Sequence, residues 1–439
     1  MRFNTDYTVE NYIINTRWDD LPEPVRKRAV VCSIDLTAAM LIGSRSRQFN
    51  AGVHLARAVC AEGDIPVLGA GQTFNLFGAV TAMAHAVNAL DIDDGHNMIK
   101  GHPGASFIAG VLAAALDKNI TYKDYLTALV VCYETTIRMG LALQSHYGYY
   151  HSSGAYGAYG TAAGMGRVLG LSKDQLNTAL SIAEYHAPLT PVMRTVEYPS
   201  MNKDGIHFGA MTGASAVLSS LSGGTGRGNL LETPEFRPLV ESLGTQYEIL
   251  NLYFKPYTCC RWAHQPIRAC IDLLNRHNFT YNQIKKITVN TFEAASKLSK
   301  IKPRTSEEAQ YNIAYPVACA LVHGDVGFEQ VSEDGLNDRR VLELMDKMAF
   351  NVDSALEARF PAVRLASVDI ALTDGTLHKS GEYEASGEAK DAVDIDWISE
   401  KFMCVTKFMI NETHQREIIK ILSDPGDISM RDVVSRVNA

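Results

Sequence analysis

The sequence predicts a mostly α-helical protein: a large all-α helical domain formed by both chain ends, plus a smaller α/β (α+β) lid domain. Three observations predict this. Apolar residues recur at helical spacing through the first half, with no convincing strand pair before residue 250. Strict apolar–polar alternation enters only afterwards, at 284–292 and 363–372. Helical spacing then returns from residue 396. The expected boundaries are 1–252 for the helical domain, 253–393 for the lid, and 394–439 for C-terminal helices that pack back on the helical domain.

In chain order, Pro22 and Pro24 open a helix through Val30, Ile34, Ala38 and Leu41, with Gly43 as its C-cap. The stretches 74–90 and 106–116 are Ala-rich and apolar almost all round, as helices inside a bundle are. Helices follow at 122–138, 160–169, 173–183 and 209–221, the third of these capped by Ser172. In the lid, 284–292 reads as a half-buried strand. The run 363–372 forms a hairpin with 376–379 through Asp374-Gly375. Apolar helices at 315–322 and 341–348 lie between them, and 380–394 is the return linker. Helices at 396–409 and 412–422 close the chain.

Composition narrows the function. With 439 residues, 46% hydrophobic and 21% charged, the chain has the make-up of a soluble globular protein of two to three domains. Forty-one Lys and Arg against 49 Asp and Glu give a net charge of −8, which argues against nucleic-acid binding by phosphate neutralisation. The start mixes charges and has no apolar core of a leader, so no targeting segment is expected. The long uncharged runs at 65–90 and 139–166 are studded with Gly, Asn, Gln, His and Tyr and read as buried or site segments, not membrane spans. The eight cysteines form no CxxC pair and read as reduced thiols, which fits a cytoplasmic protein.

Five segments carry polar density in apolar surroundings. Asp91-Ile-Asp-Asp-Gly-His96 with His102-Pro-Gly104 follows an apolar helix, so carboxylates and imidazoles gather at a helix end. It reads either as a metal site or as capping around a satisfied histidine. Zinc favours histidines at helical spacing, as in HExxH; no such pair occurs, and no metal is expected. Residues 147–157 place four tyrosines, Tyr150 among them, and His151 in a Gly-rich loop: a ligand loop or a packing loop. Lys203 precedes a small-residue helix, as a substrate lysine or as a solvated one. Between Lys255 and His264 lie Cys259, Cys260 and Arg261, a set suited to carboxylate recognition; a Cys–His dyad lacks a third member. Tyr315 starts an apolar helix and is by itself a core aromatic. The common nucleotide and hydrolase motifs are absent from the sequence.

Taken in order, these segments resemble the MmgE/PrpD family, which contains 2-methylcitrate dehydratase, cis-aconitate decarboxylase and iminodisuccinate epimerase. The 91–96 and 102–104 segments are similar to its D-[YF]-D-D-T-H…H-P-S pattern, with Gly95 in place of Thr. His151 resembles the family's F-H-x-[ST]-G histidine, and Lys203 its lysine before a small-residue helix. Gly224-Thr-Gly226 with Leu231-Glu232 resembles its F-T-G…L-E-G loop. Lys255-Pro-Tyr with His264 resembles K-P-Y-P…H, and Tyr315 the tyrosine of P-Y-x-x-A-x-A-L. Cys260 stands where decarboxylase-like members carry His. Both departures, at 95 and 260, count against an itaconate-forming activity.

The resemblance implies an active site between helical domain and lid, a homodimer, and no cofactor. Its site positions here are Asp91, His102, His151, Lys203, Lys255 and Tyr315. The chemistry implied is proton or CO₂ removal beside a carboxylate, which needs a tuned base and cations for the developing charge. His151 and Lys203 are the expected proton-transfer pair, with Tyr315 as assisting acid and His102 also catalytic. Asp91, His96, Lys255, Arg261, His264, Tyr150 and Cys260 are expected to bind the substrate, a small di- or tricarboxylate. A lyase is expected first, a dehydratase or decarboxylase. An epimerase or isomerase of an iminodisuccinate-like dicarboxylate, and a non-catalytic carboxylate binder, are the alternatives.

Overall fold

The computed structural model describes residues 8–439; the first seven residues of the opening stretch, read above for a leader, lie outside the described residues. Helix dominates. The segment after Ser172 forms Lys173–Tyr185, with Ser172 and Gln175 capping one another reciprocally. Leu76–Val87, Pro103–Lys118, Tyr122–His146, Gly154–Leu169 and Ile206–Leu221 pack together as the central bundle. Small residues set their spacing: a Cβ at Gly160 would stand 1.7 Å from Thr136 Oγ1, so glycine lets Gly154–Leu169 lie close against Tyr122–His146. Phe107, fully buried beside Tyr133, illustrates the energetics; truncating it to alanine is worth about 3–5 kcal/mol. Tyr122–His146 is long and apolar enough to cross a membrane, and its apolar stretch is almost wholly buried among these helices.

After residue 250 a four-stranded sheet forms in the order Met348–Val352, Ile284–Thr291, Ala366–Leu372, Leu377–Lys379. The first pair is parallel and the other two are antiparallel. Ala366, Val368, Ile370 and Leu372 alternate inward. The helix His264–His277 lies against Ala366–Leu372, and Ala314–His323 packs on that helix.

The C-terminal helices return to the first half of the chain. Ile395–Thr406 packs on Glu23–Gly43. Its Lys401 pairs with buried Asp35 and donates to the Ile92 carbonyl at 2.6 Å. The Tyr122 hydroxyl donates to Leu422 O at 2.7 Å.

Several local expectations need correction. Two strand pairs precede or bridge residue 250: Ile65–Pro66 with Thr73–Phe74, and Gly95–His96 with Leu252–Tyr253. At two residues each they are too short to show alternation. The helix read through 348 ends at Met345, and Met348–Val352 is the strand parallel to Ile284–Thr291. The amphipathic helix His264–His277 went unread because its first residues drew attention as a motif. Gly43 is the last helical residue and not a cap; a Cβ there would stand 1.9 Å from Ala86 O.

Candidate active site

Four of the expected site residues meet in one buried cluster. Asp91 follows Leu76–Val87 in the left-handed region at φ 54°. Its Oδ1 lies 3.2 Å from Lys255 Nζ, 3.5 Å from His102 Nε2 and 4.0 Å from Lys203 Nζ. His102 Nδ1 is 2.9 Å from Asp93 Oδ2, whose other oxygen accepts from Asn88 at 2.6 Å. Lys203 Nζ donates to Gln310 Oε1 at 2.7 Å and stands 5.1 Å from the Tyr311 ring centre. Asp91, His102 and Lys203 come from the sequence before 252, Lys255 and Gln310 from after it.

Local backbone explains the placement. His102 opens the helix Pro103–Lys118, and its N–H donates to Ser153 Oγ, which donates to Asp204. Lys203 and Asp204 both have positive φ, 37° and 58°, and Lys100 has 55°. Four charged residues therefore hold strained backbone in or beside the cluster, which tertiary packing must enforce.

Burial and charge push the titrations apart. Burial alone would raise the Asp91 carboxyl, but Lys255, Lys203 and His102 hold it below the usual range. Burial would lower Lys255, yet Asp91 and Asp93 push it above the ordinary lysine value. Lys203 goes the other way: its burial, with Lys255 nearby, outweighs Asp91 and lowers it. His102 is raised, because Asp93 and Asp91 overcome burial and Lys255.

Asp91, Asp93 and His102 offer three donor atoms within 4.8 Å of one another. Their types would suit a divalent ion. The Lys255 ammonium, 3.2 Å from Asp91 and 3.5 Å from His102 Nδ1, already supplies the positive charge there. A cavity of about 520 Å³ adjoins the cluster, lined in part by Ala89 and Ser306, whose oxygens accept from the Gln310 amide.

The other expected residues lie elsewhere. His151 is buried and stacks on Tyr149 with ring centres 4.5 Å apart; burial lowers its pKa and its Nε2 has no partner. Among the described residues, no hydrogen bond or ion pair joins its ring to the cluster. Ser152 and Ser153 carry the chain from it to His102 and Asp204. Tyr150 is 44% exposed, its ring 5.4 Å from Lys100 Nζ. Cys260 adjoins the cluster through its N–H, which donates to Gln310 O; burial and the Asp91 charge push its thiol up to about 12.

Tyr315 is not brought to the cluster: its hydroxyl lies 2.6 Å from Gln330 O and 3.0 Å from Gly335 O. Arg261 turns its terminal nitrogens to its own chain, Nη2 donating to Glu388 at 2.8 Å and Nη1 to Ser386 O at 2.7 Å, and its Nε has no partner. His96 faces Glu248 at 3.4 Å, and His264 Nε2 lies 3.1 Å from Cys259 O, its ring held neutral by burial and by Arg261.

Sequence reading missed Gln310 and Tyr311, although both stand in the fifth segment. Their helix turn precedes the apolar run, and the run drew attention to Tyr315. It also missed Tyr253, against which Gly95 packs: a Cβ at 95 would stand 2.3 Å from the Tyr253 ring and hydroxyl.

The MmgE/PrpD N-terminal domain matches residues 8–237 and the MmgE/PrpD C-terminal domain residues 257–424. The cis-aconitate decarboxylase-like protein oryM of Aspergillus oryzae is 26% identical over 379 residues, 77% of either chain. The cis-aconitate decarboxylase of Aspergillus terreus is 24% identical over 444 residues, 92% of this chain and 89% of its own. The human cis-aconitate decarboxylase is 23% identical over 371 residues, 78% of this chain and 75% of its own. A chain matched over residues 8–237 and 257–424 by the two domains of one family belongs to the MmgE/PrpD family.

Proposed function

We propose that this protein is a cofactor-independent lyase that acts on a small di- or tricarboxylate by proton transfer beside a carboxylate, as a decarboxylase or dehydratase. One observation carries the reading: two buried lysines share Asp91, and their pKa values move in opposite directions. Titratable neighbours driven apart mark an acid–base pair with distinct duties. Lys203, desolvated and lowered, is the base. Lys255, held protonated, meets the charge that develops on the substrate carboxylate. His102, raised and oriented by Asp93, returns a proton. His151, neutral with a free Nε2, is a second proton carrier reaching the substrate from the segment that precedes the helix Gly154–Leu169. Low-identity cis-aconitate decarboxylases among the relatives support the lyase assignment.

We also take the helical part with both chain ends as one domain and 253–393 as a lid that closes on it, in a cytoplasmic homodimer. Light scattering of the purified chain tests the dimer. Activity that survives exhaustive chelation tests the absence of a metal.

The deciding experiment supplies cis-aconitate and related polycarboxylates in D₂O. Loss of CO₂ or water with a new unsaturated product supports the lyase. Deuterium entering recovered substrate with no product supports the second reading, an epimerase, which Gly95 and Cys260 favour. Binding with neither outcome leaves a carboxylate-binding relative and overturns the enzyme reading.

A further inference from the structure

Buried cations normally have carboxylate partners, because an unpaired buried charge is costly. Two beside the cluster have none. Arg364 is 8% exposed and its Nε is without a hydrogen-bond partner. Its Nη2 donates only to the Asn97 carbonyl, at 3.3 Å. Lys100, half-buried, donates to the same carbonyl at 3.0 Å. Two like charges thus converge on one neutral oxygen, and among the described residues neither has an acidic group within ion-pair distance.

The acid that feels the Arg364 charge, Glu388, is already engaged. Glu388 accepts from Arg261 on one oxygen, at 2.8 Å, and from the Asn97 side chain on the other, at 2.9 Å. The patch therefore holds three cations and one carboxylate.

The loop that presents Lys100 is closed on itself, while Arg364 comes from the segment before Ala366–Leu372. His96 N–H donates to Gly101 O at 3.0 Å and closes residues 96–101 into a tight turn, with Lys100 at φ 55°. Gly101 then leads directly into His102. The Tyr253 hydroxyl and the Cys260 thiol feel both Lys255 and Arg364, so these side chains lie near the cluster and near Arg364 alike.

We propose that Lys100 and Arg364 form a second carboxylate subsite, which takes the substrate carboxylate remote from the one at Lys255 and His102. The inference rests on the polycarboxylate reading above and narrows it to substrates with two separated carboxylates. The guanidinium fork can receive one carboxylate in bidentate fashion, with the ammonium as a second donor.

Calorimetric titration with tricarballylate, a stable tricarboxylate, tests this without turnover. Arg364→Gln and Lys100→Met should each weaken binding by about 10-fold or more, the loss of a charge-assisted hydrogen bond. Lys100→Arg should stay within a few fold of the parent. Melting temperatures verify that the variants fold; should Arg364→Gln fail to fold, the two Lys100 variants decide. Folded variants that bind tricarballylate as the parent does overturn the subsite and leave the polycarboxylate reading standing. Lys100→Arg losing as much as Lys100→Met also overturns it, since the loop and not the charge would then matter. A parent protein that binds no tricarballylate overturns both. Inorganic phosphate binding with the same Arg364 dependence, while tricarballylate does not compete, overturns it in favour of a phosphate site.

Discussion

Lys203 and Arg261 are both buried cations next to a carboxylate, and they behave differently. Arg261 is paired: Glu388, the Ser386 carbonyl and the Tyr253 ring 4.5 Å away hold its two terminal nitrogens and its face, and its Nε alone is without a partner. Lys203 shares Asp91 with Lys255 and His102, so three basic groups compete for one carboxylate. A satisfied pair fixes the fold. A crowded one stores a difference in proton affinity that chemistry can use. The sequence reading puts Lys203, by family resemblance, in the proton-transfer pair and Arg261, by its residue type, among the substrate binders; only their partners separate them.

The largest expected effect falls on the crowded side. Lys203→Ala should lower kcat by about 10²–10⁴-fold, the usual range for a general base, in a protein that still folds. In the parent, kcat/KM should rise with pH through a pKa below the ordinary lysine value, because the base works only when unprotonated. The variant should lack that limb. An unchanged pH–rate profile in Lys203→Ala would remove Lys203 from the proton step.

On the Arg261 side the effect should be on stability. Arg261→Ala leaves Glu388 without its cation and should cost about 3–5 kcal/mol, read by denaturant unfolding, while the protein that remains folded keeps near-normal kcat. A fall in turnover or a rise in KM with unchanged stability would return Arg261 to the substrate.

The smallest effect sharpens the same contrast. Tyr315→Phe removes a hydroxyl held by two backbone carbonyls and should cost about 1 kcal/mol of stability with turnover nearly intact. Large loss of kcat in that variant would show that the hydroxyl turns toward the substrate during the reaction.

What the sequence made legible follows from the range of the forces involved. Helices such as Lys173–Tyr185 and Glu412–Leu422, and the strand Ile284–Thr291, are written in local periodicity and caps, and they stand where expected. The pairing of Gly95–His96 with Leu252–Tyr253 joins residues far apart in the chain and leaves no periodic trace. The same holds for the site. Asp91, His102, Lys203 and Lys255, each singled out in a local motif, are brought together by the fold. Gln310 and Arg364 are single polar residues whose meaning comes only from what they approach. Tyr315 and Arg261 mark the opposite failure, since a conspicuous residue type says nothing of whether its hydrogen bonds are already taken.

Lys401 has a consequence for how the molecule is made. It neutralises Asp35 and grips the Ile92 carbonyl, inside the very loop that carries Asp91, Asp93 and Asp94. During synthesis that loop leaves the ribosome some three hundred residues before the lysine that seats it. A nascent chain stopped short of residue 401 holds every acid and base of the cluster and lacks the group that anchors their loop.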